Sequence, residues 1–244
     1  MKFRITALGL LLSSTLILAT VAQADDATTS SLKHISRADP ETMLQEATAE
    51  LLVISKAARE YAAQDRERYY AEVTGVIDQV MDMQYFARGV MATYASSRLY
   101  NSLPTEAEKA AFRDRVARFA VALKRVWMVK YADALLKADG ETIELARINT
   151  GNESADRASL QQTIHDRKNQ TYLVQYSLIK AKDGGWMIAN VIVENINLGE
   201  VYRSQFAEAV ENHKGDIDYV VDHWVELMLH NESAEGQDKP GATN

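Results

Sequence analysis

The chain has no cysteine and only three prolines in 244 residues. Without a thiol, no disulfide can staple the fold and no lipobox cysteine can anchor a lipoprotein, so the core alone must supply stability. No stretch rich in proline, serine and glycine divides the chain and no internal repeat is visible, so one domain is expected. Basic charge is also in short supply: 27 Lys and Arg stand against 34 Asp and Glu, a formal −7. That balance argues against nucleic acid and against permanent residence on an anionic membrane. Motifs that carry chemistry are missing too. There is no G-x-S-x-G, P-loop, G-x-G-x-x-G or H-E-x-x-H. The five histidines (His34, His165, His213, His223, His230) show no metal-ligand spacing beyond His223 and His230, which lie two helical turns apart. His165-Asp166 is a candidate acid–base pair, but neighbours on a strand point to opposite faces. The sequence therefore predicts no catalytic residue, no metal and no cofactor.

The N-terminus carries a compartment signal. Lys2 and Arg4 precede an apolar run from Ile5 to Val21, and Ala22-Gln23-Ala24 has the small-x-small form of a cleavage site. The run is short for a membrane span and is broken by Ser13, Ser14 and Thr15. Residues 1–24 read as a secretory signal peptide; the mature chain is expected in the periplasm, with no stable membrane insertion. Cleavage would remove two basic and no acidic residues, taking the formal charge from −7 to −9. Residues 25–230 are expected to form the single domain. From Asn231 on the apolar residues vanish, which predicts a solvated, disordered tail over 231–244.

Three segments organise the rest. Asp39-Pro40-Glu41 reads as an N-cap with proline in the first turn, followed at helical spacing by Met43, Leu44, Ala47, Leu51, Ile54 and Ala58. A second amphipathic pattern runs from Tyr69 through Val80 toward Met83, Phe86, Val90 and Met91. Thr105-Glu-Ala-Glu108 is a capping box opening a long pattern from Phe112 to Leu135. The period then changes: four β-rich runs (141–149, 158–167, 171–181, 185–194) predict an antiparallel meander of about four strands. Tyr172, Val174, Tyr176 and Leu178 share one face of the third strand; Met187, Ala189, Val191 and Val193 share one of the fourth. Two short helices follow, one over Leu198–Val210 and one over Ile217–Met228. Helices, then strands, then helices indicate an α+β fold with a twisted antiparallel sheet packed by N-terminal and C-terminal helices.

Several motifs, in order, resemble the MlaC family of periplasmic phospholipid-binding proteins, also called toluene-tolerance proteins. The stretch from Trp186 through Asn195-Ile-Asn-Leu-Gly-Glu-Val-Tyr202-Arg203-Ser204-Gln205-Phe206 is similar to the family's "W…D…E-G-V-S-L…Y-R-S-Q-F". Asp82 to Tyr94 resembles its "D-F-x-x-M-A-x-x-V-L-G-x-Y-W", Pro104 to Phe112 its "S-P-E-Q…F", Tyr131 to Leu135 its "Y-A-x-A-L", and Gly215-Asp-Ile217 its "G-I-D". The chain departs from the pattern with Ala92 for Gly, Ala95 for Trp, Asn190 for Asp, Asn195-Ile-Asn197 for Gly-Val-Ser, and a longer stretch from Phe112 to Tyr131.

The resemblance implies an apolar pocket between sheet and helices that takes lipid tails. It also implies a carrier role between an outer-membrane lipoprotein complex and an inner-membrane ABC transporter, with a monomer expected. Candidate lining residues are Met83, Phe86, Val90, Met91 and Tyr94 on one helix; Val174, Tyr176 and Leu178, with Met187, Val191 and Val193, on the strands; and Leu198, Val201 and Tyr202 at the next helix. Each has the alternative of being ordinary core, since periodicity cannot distinguish a filled core from a hollow one. Arg203 is the head-group candidate, with surface salt bridging as its alternative. Two rival readings stand beside the phospholipid carrier: a carrier of hopanoid or another polycyclic lipid, and a periplasmic adaptor that binds protein and no lipid.

Overall fold

The structure, a computed structural model, describes residues 32–137, 142–168 and 170–235. The expected signal peptide and the part of the expected tail beyond Glu235 lie outside the described residues.

Capping chemistry sets most helix starts. The Asp39 carboxylate accepts from Thr42 N at 2.9 Å and Pro40 occupies the first turn of α1 (Pro40–Ala58). Asp65 caps α2 (Arg66–Val80) in the same way through Arg68 N. The apolar pattern that runs on past Val80 is broken in the fold. Met81 turns extended (φ −134°, ψ 127°) to form a bridge with Ile188, and Asp82 caps a new helix, α3 (Met83–Met91), through Tyr85 N. A 3₁₀ turn (Ala92–Ala95) and α4 (Ser97–Ser102) lead to the Thr105/Glu108 box. It is reciprocal: Thr105 N donates to Glu108 Oε2 at 3.0 Å and Glu108 N to Thr105 Oγ1 at 3.2 Å. The helix it opens, α5 (Glu106–Lys137), runs 32 residues without a break, about 50 Å at 1.5 Å per residue.

The sheet is a five-stranded antiparallel meander in sequence order: β1 (Thr142–Arg147), β2 (Arg157–His165), β3 (Thr171–Lys180), β4 (Trp186–Val193) and β5 (Ile196–Asn197). One strand more than expected arises because Glu194 and Asn195 both take positive φ (49° and 66°). That is the two-residue turn that folds a chain back on itself, so Ile196 pairs with Val193 before α6 (Leu198–Asn212) begins. The final helical stretch is divided at His223 into α7 (Ile217–Asp222) and α8 (Trp224–Glu235). Helix α8 continues beyond Asn231, where the solvated tail was expected to start.

Between the helices the core is packed with aromatic rings. Phe119 of α5 meets Phe206 of α6 and Trp224 of α8 edge-on, with centroids 4.7 and 5.1 Å apart, and Phe86 meets Trp127 at 4.9 Å.

The sheet carries a β-bulge that corrects the expected face of β4. Ser177 pairs with Asn190 and the next pair is Leu178 with Ile188, so Ala189 is the extra residue. Past the bulge, Ile188 lies on the face of Leu178, Tyr176, Val191 and Val193, whereas Met187 is opposite Ile179 on the other face. Strict alternation from Val193 gives the reverse assignment, because the extra residue shifts the side-chain period by one.

Candidate functional site

The pairing registers sort the sheet into two faces of different chemistry. One face is held to the helices at its centre, where buried Gln162 donates to Thr48 Oγ1 of α1 at 2.6 Å and accepts from Tyr176 OH at 2.8 Å. Its cross-strand rows grow more accessible in one direction. Ala158, Leu178 and Ile188 form a sealed row, each 7% exposed or less. Leu160, Tyr176 and Val191 follow, with Tyr176 and Val191 half-buried. Next come Leu145, Gln162, Val174 and Val193, extended by Ile196, which is 55% exposed. Last are Ile143, Ile164 and Tyr172, the tyrosine exposed.

Aliphatic side chains pointing inward on a helix-covered sheet should be sealed. Here those of the outer two rows keep accessible surface. Tyr176 shows the same thing from within: burial pushes its phenol above the ordinary range, yet part of its surface is accessible. Elsewhere, Tyr131 of α5, exposed, lies with its hydroxyl 3.3 Å from that of buried Tyr202, and Val201 on the same turn of α6 is exposed.

The candidate lining residues divide accordingly. Val174, Val193, Tyr176 and Val191 lie along the opening rows, and Leu178 on the sealed one. Leu198 and Val201 stand at the start of α6. The α3 candidates do not join them. Met83, Phe86, Val90 and Met91 are buried, Phe86 and Val90 also lining the cleft that holds Arg203, and the half-buried Tyr94 ring rests 5.8 Å from Phe206. Tyr202 is core, 2% exposed, with its ring 6.1 Å from Trp127. Met187 leaves the apolar face at the bulge. Sequence reasoning missed Ile143, Leu145, Ile164 and Ile196. The alternation of β1 and β2 carried a signal for the first three; Ile196 had none, because its placement depends on the β4–β5 turn.

Arg203 is also placed elsewhere than the open end of that apolar face. It is exposed, its Nε donates to Gly89 O at 3.1 Å, and it lines a separate cleft of about 960 Å³ on the other face of the sheet. The cleft's lining mixes polar groups, Ser159, Ser177, Asn190 and Asn197 from the strands and Arg88 from α3, with apolar Phe86, Val90, Leu178 and Ile179. His165 and Asp166 form no catalytic pair: the His165 ring is 3.0 Å from Thr171 Oγ1, and the Asp166 carboxylate accepts from Lys168 N and Gln170 N in the hairpin turn. Among the described residues no three His, Asp or Glu cluster as metal ligands, and no helix is long and apolar enough to cross a membrane.

An antiparallel sheet packed with helices, one face of which is apolar and only partly covered, defines the class: an α+β domain with a partly accessible apolar sheet face. The family model described as "MlaC protein" matches residues 45–226, and the chain belongs to that family. It is 28% identical over 195 residues to the toluene tolerance protein ttg2D of Pseudomonas putida, covering 79% of this chain and 83% of that one. Among solved structures, it is similar to a phospholipid-binding protein from Ralstonia solanacearum in complex with a phospholipid. That match has a TM-score of 0.62 at 16% identity, covering 82% of this chain and all of the other.

Proposed function

We propose that the mature chain is a periplasmic phospholipid carrier that holds acyl tails against the apolar sheet face and moves lipid between an outer-membrane lipoprotein complex and an inner-membrane ABC transporter. The observation that carries this reading is the graded opening of one apolar face, from the sealed row at Ala158, Leu178 and Ile188 to the accessible row at Ile143, Ile164 and Tyr172. Family membership and the phospholipid in the Ralstonia structure support it. The energetics suit the task. Each methylene taken out of water contributes about 0.8 kcal/mol, so two long tails bind without specific chemistry. The head group stays in water at the open end of the face. No catalytic role is assigned to any residue.

The test is to express the chain with its own N-terminus, purify it from the periplasm and identify extracted lipid by mass spectrometry. Phospholipid at about one molecule per chain is the expected result. A hopanoid or other polycycle would keep the carrier and change its cargo. Protein that is lipid-free and takes up no added phospholipid would sink the proposal and favour a protein-binding adaptor.

A further inference from the structure

The cleft on the opposite sheet face has a charge pattern unlike the surface around it. Over much of the molecule, cations are matched: Arg115 and Arg118 with Asp218, Arg125 with Glu67, Lys124 with Asp78, Arg147 with Glu41. Around the cleft, Arg88, Arg157, Lys182 and Arg203 converge from α3, β2, the β3–β4 turn and α6. Among the described residues none of the four pairs with a carboxylate. Arg88 bonds Ala95 O and Ser97 Oγ, and Arg203 bonds Gly89 O. The carboxylates in the lining are Asp82, committed to capping α3, and Glu200 in the first turn of α6, which leaves the cleft net positive in a chain of formal charge −7.

We propose that this cleft docks an acidic peptide segment of a partner protein. Four cations without carboxylate partners do not suit an acyl tail, and tails held on the apolar face lie across the sheet from these cations. At about 960 Å³ the cleft is far larger than a single phosphate requires. Its cations sit around a concavity, which a flat bilayer cannot follow but an extended chain can. Ser177 adds a hydroxyl for the main chain of such a segment, those of Thr150 and Ser159 being bonded to each other and Thr150 to Glu153. Charge of this kind acts mainly on encounter and specificity and is weakened by salt.

A fluorescein-labelled octaglutamate peptide, followed by anisotropy against the full mature protein, tests this. Saturable one-site binding is expected at low salt, at least about tenfold weaker in Arg157→Glu/Lys182→Glu and within about twofold of wild type in Arg98→Glu, an exposed arginine of α4 outside the cleft. Should the double variant melt early, Lys182→Glu, a single change in an exposed turn, gives the same comparison. Absence of saturable binding, or equal binding by wild type and the cleft variants, would overturn the proposal. So would inorganic phosphate or phosphatidylglycerol vesicles binding through the same residues in place of the peptide. Lipid extracted from the same variants is expected to be unchanged, which separates failure of this docking site from failure of the carrier reading.

Discussion

Ala92 ends α3 at φ 50° and ψ −114°, a region that L-residues avoid because Cβ crowds the backbone. The MlaC pattern has glycine there, so the chain carries a strain that the pattern avoids. Ala92→Gly is therefore expected to stabilise the protein by about 1 kcal/mol, strain relief outweighing the added unfolded-state entropy. A rise in the urea midpoint with unchanged slope would show it; no rise would mean the backbone relaxes without cost. Two other departures compensate each other. Asn190 Nδ2 donates to Asn197 Oδ1 at 2.9 Å while Asn190 Oδ1 accepts from Gly199 N, and Asn197 Oδ1 also caps α6 through Glu200 N. Aspartate at 190 would set a carboxylate against that carbonyl oxygen. Asn190→Asp alone should cost about 1–3 kcal/mol, the penalty of a lost donor. A serine hydroxyl at 197 can donate to the new carboxylate and still cap α6, so Asn190→Asp/Asn197→Ser should recover part of the loss. A double-mutant cycle in urea measures this coupling, and strict additivity would refute it. Gly199 completes the joint, since a Cβ there would lie 2.7 Å from Asn190 Oδ1.

Among the elements, α5 and α7 are joined by charge. Arg115 grips Asp218 through Nε at 2.8 Å and Nη2 at 2.6 Å, and Arg118 reaches it at 2.9 Å. The Arg115 hydrogen bond, offset in part by burial and assisted by Arg118, holds the Asp218 carboxyl below its usual range. A folded-state pKa lowered in this way contributes stability that is present above the unfolded value, near pH 4, and is lost as pH falls through the folded one. Asp218→Asn should thus destabilise the protein at pH 7 and converge with wild type under acid conditions below pH 4. Asp218 is half exposed, so solvent screening limits the effect to about 1 kcal/mol. Thermal melts across pH check it, and a constant gap between the two proteins would exclude the linkage. The elements themselves were largely legible: Asp39-Pro40 and the Thr105/Glu108 box each start the helix that their chemistry specifies, whereas the break that lets Asp82 open α3 was not legible in the continuous apolar pattern. The bulge at Ala189 and the turn at Glu194-Asn195 were not, because both are set by how β4 pairs with β3 and β5.

For the molecule as a whole, the main question is which apolar positions face space and which face atoms. Enlarging a side chain distinguishes them. Val126 of α5, fully buried in the packed core and away from the cleft, has no room, so Val126→Phe should cost about 1–3 kcal/mol or more. Val174 and Val193 lie side by side in the opening rows, so Val174→Phe/Val193→Phe should leave the melting temperature nearly unchanged and lower the amount of bound lipid. Melting curves paired with lipid extraction read both effects. If the double variant unfolds like Val126→Phe, the space is a filled core.

Local sequence was enough to specify the α+β order of elements, the starts of α1 and α5 and, through ordered motifs, the family, because capping and periodicity depend on residues a few positions apart. It also put Val174, Tyr176, Val191 and Val193 on strand faces that meet. The folded chain was needed to place α3 and Tyr202 in the packed core, to carry Met187 to the other face and to set Arg203 in the cleft. An apolar side chain reads the same whether its neighbour is another side chain or a hollow, and only the register of strands and the seating of helices distinguish the two.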